Sequence, residues 1–127
     1  MITGVGIDLL AIERFRILRG KSRFINSVFT KKEIARSSVY FHRDSFYAVL
    51  FTLKEAVLKV VRCGLRYGTL WHQVEIDHKL RPIISGSLLE RAKKQPNEKI
   101  HTSFACSRHC ALSIALKETE PGSMGGI

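Results

Sequence analysis

Twenty consecutive residues, Asp44 to Cys63, contain neither glycine nor proline. No other stretch limits so strongly what the chain can fold into. Free of the residues that end helices, the run predicts one long helix, opening near a cap at Asp44 and stopping at Gly64. At ~1.5 Å per residue it would extend about 30 Å, the diameter of a small domain. Most of its positions are apolar, so a helix here has to be buried on more than one side.

The chain has 127 residues, enough for one domain with a modest core. Neither an internal repeat nor a Pro/Gly-rich linker divides it. Upstream of the long helix, Ile2 to Asp8 reads as a strand, with Gly4 and Gly6 leaving room for close backbone approach. Ile12, Phe15 and Leu18 share one face of a short helix. Its other face and the following turn carry Arg14, Arg16, Arg19, Lys21 and Arg23. Thr30-Lys31-Lys32-Glu33 fits a capping box. Downstream, Val74 to Asp77 alternates as a strand, with Pro82 to Ser85 as its hairpin partner. Ser87 to Lys94 predicts a short helix. Lys99 to Phe104 and Ala111 to Leu116 predict two further strands around a turn at Ser107-Arg108-His109. The sum is a single α+β domain over residues 1–118, with a flexible tail over 119–127 that contains Pro121, Gly122, Gly125 and Gly126.

The net charge of +10 favours polyanionic partners: nucleic acid, an acidic membrane, a phosphate-rich cofactor or an acidic protein. No Gly-rich RNA-binding motif, zinc finger or recognition-helix pattern supports a basic nucleic-acid-binding module, so nucleic acid is not the expected partner. No apolar run is long enough to cross a bilayer, and Met1 to Val5 lacks the basic leader of a secretory signal. Three cysteines, Cys63, Cys106 and Cys110, have no framework spacing, and the expectation is a cytoplasmic protein with reduced thiols. Cys106, His109 and Cys110 fall one ligand short of a closed zinc site, and Cys63 is far away in sequence.

Within the long helix, Thr52, Glu55, Lys59 and Arg62 are spaced three, four and three residues apart and share a stripe. Taken alone, such a stripe reads as a solvated face. Asp8 changes the weighing. At the end of an apolar strand its side chain can project from the sheet, and with Glu55 it offers two hard oxygen ligands. Magnesium typically takes one or two protein carboxylates, several waters and substrate phosphates. Lys54 and Lys59 add cations beside them, which suits a metal-bound pyrophosphate. His101 and Ser103 share one face of a late strand, where the histidine could donate to a phosphate. Trp71, Tyr47 and Phe51 read as core.

These segments resemble, in order, the motifs of one family. Gly4-Val5-Gly6-Ile7-Asp8-Leu9-Leu10-Ala11-Ile12-Glu13-Arg14 resembles the opening G-I-G-x-D-I-x-x-I-x-R of holo-(acyl-carrier-protein) synthases, the small 4'-phosphopantetheinyl transferases. Phe29-Thr30-Lys31-Lys32-Glu33 is similar to their L-T-x-x-E. Phe51-Thr52-Leu53-Lys54-Glu55-Ala56-Val57-Leu58-Lys59 is similar to F-A-A-K-E-A-x-x-K. Gly64-Leu65 and Trp71 to Ile76 match G-T-G…W-x-D-I-E-I loosely, Leu80-Arg81-Pro82 stands in place of G-K-P, and His101-Thr102-Ser103-Phe104 resembles H-V-S-L. The likeness runs from about Ile2 to Glu118.

The resemblance implies an antiparallel sheet packed on one long helix and shorter helices. It implies transfer of the 4'-phosphopantetheine group from coenzyme A to a serine of apo-acyl carrier protein, with adenosine 3',5'-bisphosphate as leaving group. Asp8 and Glu55 would be magnesium ligands and, with Lys59, the catalytic set. Lys54, Lys59, His101 and Ser103 would bind coenzyme A; Arg14, Lys21 and Arg23 would face the carrier protein. The short members of the family form homotrimers with active sites between subunits. The proton acceptor is left open between Glu55 and a water on the metal. The chain departs from the pattern at Leu50, where the family has arginine, at Leu80, where it has glycine, at Ala105 and Cys106, and in the turn from Arg62 to Gly68. These departures keep in view a catalytically weakened carrier-binding paralogue.

Overall fold

A ten-residue strand, β1 (Ile2–Ala11), opens the chain. Four helices follow: α1 (Ile12–Arg19), α2 (Ser22–Val28), α3 (Lys31–Ser37) and the long α4 (Arg43–Val61). A 3₁₀ turn at Trp71–Gln73 leads into the short strands β2 (Val74–Ile76) and β3 (Pro82–Ile84). Helix α5 (Gly86–Lys93) then precedes the hairpin β4 (Glu98–Cys106) and β5 (Cys110–Thr119). The structure is a computed structural model and describes residues 1–40, 42–61, 70–93 and 97–120. The turn expected from Arg62 to Gly68 and the tail residues 121–127 lie outside the described residues.

Among the described residues the strands pair into the antiparallel sheets β1-β5-β4 and β2-β3. Helix α4 lies across the first, against β1 and β5, and its buried side chains from Phe46 to Val60 form the centre of the core. The expected α+β domain, with an antiparallel sheet packed on one long helix, is the observed architecture. A cluster of rings fills the space between α4 and the first helices, with Phe15 stacked on Tyr47 at 6.0 Å and Phe29 against Tyr47 at 4.7 Å.

Strand β1 sets how close the helix comes. Its alternation sends Gly4, Gly6, Asp8 and Leu10 toward α4 and Val5, Ile7 and Leu9 to the opposite face. A Cβ on Gly6 would stand 2.1 Å from the Ala56 carbonyl oxygen, so only glycine lets the helix backbone reach the strand there. At Gly4 the nearest atom would be 3.5 Å away, an ordinary contact, and close approach is needed at Gly6 alone.

Two sequence expectations change here. β1 does not end at Asp8: Leu9, Leu10 and Ala11 go on pairing with Leu112, Ala111 and Cys110. Asp8 therefore projects from the middle of the sheet toward α4. Helix α2 was not expected. It is seven residues long, and Lys21 makes no side-chain cap, so nothing local announces it. The capping box at Thr30 and Glu33 is present, with Thr30 N–H donating to Glu33 Oε1 at 2.9 Å and Glu33 N–H to Thr30 Oγ1 at 3.2 Å. Leu80 has φ of 61°, a left-handed conformation that costs a side-chain-bearing residue roughly 1–2 kcal/mol. Its half-buried side chain packs against the core and offsets that strain.

Candidate active site

Of the stripe on α4, Thr52 and Glu55 are buried rather than turned to water, and Lys59 stands at the exposed edge. Thr52 is fully buried, and its hydroxyl meets Ser113 Oγ on β5 at 2.7 Å. Ser113 in turn pairs with Asp8 across the strands. One turn further along α4, Glu55 is buried, and its Oε1 accepts the Trp71 indole N–H at 2.6 Å. A turn beyond that, Lys59 reaches back to β1. Its ammonium donates to the Ile7 carbonyl at 2.7 Å and lies 3.4 Å from Asp8 Oδ1. The fold thus brings Asp8, Glu55 and Lys59 together. Arg62, the last residue of the expected stripe, is outside the described residues.

Burial pushes both carboxyls up from their ordinary values. For Asp8 the rise is opposed by the charge and hydrogen bond of Lys59. For Glu55 it is opposed by the Trp71 hydrogen bond, and the nearby Asp8 charge adds to it. Two carboxylates with one shared ammonium leave uncompensated negative charge at a half-buried spot, and that is where a divalent cation fits. Among the described residues no group of three or more His, Cys, Asp or Glu could hold a metal. A two-carboxylate donor set suits magnesium, which fills its remaining positions with water and substrate oxygens.

Lys54 requires a correction. It is fully buried, and its three N–H donors are all used: Glu33 at 2.7 Å, the Val28 carbonyl at 2.9 Å and the Trp71 carbonyl at 3.1 Å. Glu33 is equally buried and also accepts from Ile76 N–H at 2.7 Å. Lys54 therefore ties α2, α3 and the 3₁₀ turn to α4 and has no donor left for a cofactor. Leu50 is fully buried in the core, so position 50 presents nothing to a phosphate.

His101 and Ser103 share a strand face, and it is the one turned away from α4. They pair with Leu116 and Ile114, which in turn pair with Val5 and Ile7. His101 Nε2 lies 2.8 Å from Glu118 Oε2. Within one chain they do not join Asp8 and Glu55. Of the basic group, Arg16 is held by Asp44 at 3.0 Å and Arg19 by the same carboxylate. Arg14, Lys21 and Arg23 are exposed and make no ion pair among the described residues. Trp71 was expected only as core. The one available signal was chemical: a half-buried indole N–H needs an acceptor, and Glu55 supplies it.

The family profile described as ACPS, 4'-phosphopantetheinyl transferase superfamily, matches residues 4–115. The chain belongs to the 4'-phosphopantetheinyl transferase superfamily. This transferase is 33% identical over 124 residues to a holo-[acyl-carrier-protein] synthase of Clostridium novyi, with 94% of this chain and 90% of that one covered. It is 31% identical over 124 residues to one of Vibrio cholerae, with 93% and 98% covered. Its fold matches the crystal structure of the Neisseria meningitidis holo-[acyl-carrier-protein] synthase with a TM-score of 0.78, at 22% identity, over 94% of the transferase and 100% of that chain.

Proposed function

We propose that this transferase moves the 4'-phosphopantetheine group of coenzyme A to a serine hydroxyl of an apo-acyl carrier protein, with magnesium, releasing adenosine 3',5'-bisphosphate. The observation that carries the reading is the convergence of Asp8, Glu55 and Lys59 between β1 and α4. The curated relatives, named for the same activity, support it. Asp8 and Glu55 would hold the metal, which when bound neutralises pyrophosphate charge. The serine oxygen forms a bond to the β-phosphorus as the bond to the bisphosphate leaving group breaks, and the hydroxyl proton would pass to Glu55 or to a water. Lys59, anchored by the Ile7 carbonyl, keeps its ammonium beside the carboxylates, where it meets the charge that builds on the phosphate oxygens. Positioning and electrostatics supply the catalysis.

The proposed working unit is a homotrimer with each site between two subunits. The sheet face opposite α4 carries Val5, Ile7, Leu9 and Leu112 exposed beside a half-buried Ile114, and Leu9 is 63% exposed. A contiguous apolar surface of this kind favours association. The same face bears His101 and Ser103, so a neighbouring copy is the route by which they would reach the coenzyme A of another subunit. Light scattering should give three times the chain mass, and Ile7→Asp should shift the mass to one chain with loss of transfer. A fully active monomer would contradict the trimer.

The exposed Arg14, Lys21 and Arg23 are the proposed docking surface for the acidic carrier. Beside α1, a groove of about 870 Å³ lined by Arg16, Arg19, Arg43 and Arg108 extends the cationic surface. Rim charges steer encounter and are screened by salt. Arg14→Glu or Lys21→Glu should lower kcat/KM for the carrier about tenfold while leaving coenzyme A affinity unchanged, and added salt should act alike on the wild type. Unaltered carrier kinetics in both variants would remove the surface from the account.

A further inference from the structure

We propose that Trp71 is a positioning residue for Glu55: its indole N–H fixes the orientation of a carboxylate that, on the function proposed above, is a metal ligand.

The indole has little freedom to point elsewhere. Trp71 opens the 3₁₀ turn, and that turn is held at each of its three residues. The Trp71 carbonyl accepts from the buried Lys54 ammonium at 3.1 Å. The His72 ring lies 2.7 Å from the Asn26 carbonyl oxygen. The Gln73 side-chain oxygen accepts from Leu88 N–H at 2.8 Å and Ser87 Oγ at 3.0 Å, at the start of α5. The Trp71 ring packs against Phe51, with centroids 5.9 Å apart. What remains is one indole N–H aimed at Glu55 Oε1, at 2.6 Å.

The donor's chemistry matters as much as its aim. An indole N–H donates and carries no charge. A lysine or arginine in this place would neutralise Glu55 and weaken its hold on a cation. Trp71 fixes the carboxylate plane and leaves its full negative charge, with Oε2 free of the indole. Lys59 has the complementary arrangement, touching Asp8 and the strand backbone. Partners that orient a ligating side chain typically change metal affinity or activity about 10–100-fold when removed.

Trp71→Phe deletes the N–H and keeps a ring against Phe51. Magnesium affinity, measured by calorimetry with and without coenzyme A, should fall about 10–100-fold. The magnesium concentration for half-maximal activity should rise by the same factor, while KM for the carrier stays within about twofold at saturating metal. Trp71 is the single tryptophan of the chain, so a ¹⁵N-labelled sample gives one indole N–H resonance. That resonance should move when magnesium is added and when Glu55 is replaced by glutamine. Wild-type magnesium affinity in Trp71→Phe would overturn the positioning role, and so would an indole resonance indifferent to Glu55→Gln. Should Glu55→Gln lose the metal while Trp71→Phe retains it, only the positioning role fails. Should Glu55→Gln bind magnesium like the wild type, the metal assignment itself fails.

Discussion

Glu55→Gln and Asp8→Asn will each lower phosphopantetheine transfer by roughly three orders of magnitude or more, without loss of folding. Each removes one of two carboxylates from a donor set that has no third described residue to replace it. Stability should move the other way. Burial raises both carboxyls, so the folded state holds their protons more tightly than the unfolded chain does. Stability contributed by these groups is therefore present at low pH and lost as pH rises from the ordinary carboxylate range through the raised values. Above those raised values the charged pair works against folding, and the neutral amides relieve it. The glutamine oxygen keeps the Trp71 hydrogen bond, and Lys59 keeps the Ile7 carbonyl. Melting temperatures without metal should match or exceed the wild type, the trade expected of a site built for charge rather than stability. Turnover within tenfold of wild type in either variant would remove that residue from the metal site.

Lys54→Met should destabilise the fold by about 3–5 kcal/mol, out of a total of about 5–15 for a domain of this kind. The ammonium is fully buried, and burial lowers its pKa against the opposing pull of Glu33. Removing it leaves the Glu33 carboxylate buried with only the Thr30 and Ile76 N–H groups. The urea midpoint should fall with an unchanged slope. Adding Glu33→Gln to Lys54→Met should recover part of the loss, because the uncompensated charge is then gone. Wild-type stability in Lys54→Met, with a raised KM for coenzyme A, would return Lys54 to the cofactor site.

Lys54 also marks where the sequence stops being legible. Its neighbours in the chain place it next to Glu55 and Lys59, and the spacing puts it on the same helix. Which way it points depends on Glu33, which a distant capping box brings beneath α4. The sequence offers Asp8 as a candidate site residue beside Glu55, and the structure sets it next to Lys59 and near Glu55. It was misplaced at a strand end, because Leu9 to Ala11 are apolar on both faces and give no alternation to follow. That two-sided apolar character is itself informative: one face packs on α4, and the other is open. The long helix, the capping box and the β2-β3 hairpin were legible because their signals are local. Gly6 was legible for the same reason, since a strand glycine calls for a close neighbour. The separation of His101 and Ser103 from Asp8 was not, since it follows from strand pairing and not from spacing.

The most direct test is mass spectrometry of an apo-acyl carrier protein incubated with coenzyme A, magnesium and this transferase. The expected result is one added phosphopantetheine group on the carrier serine and an equal amount of adenosine 3',5'-bisphosphate, with the carrier left unmodified when the metal is chelated. An unmodified carrier, from a batch that a known transferase converts fully, would contradict it.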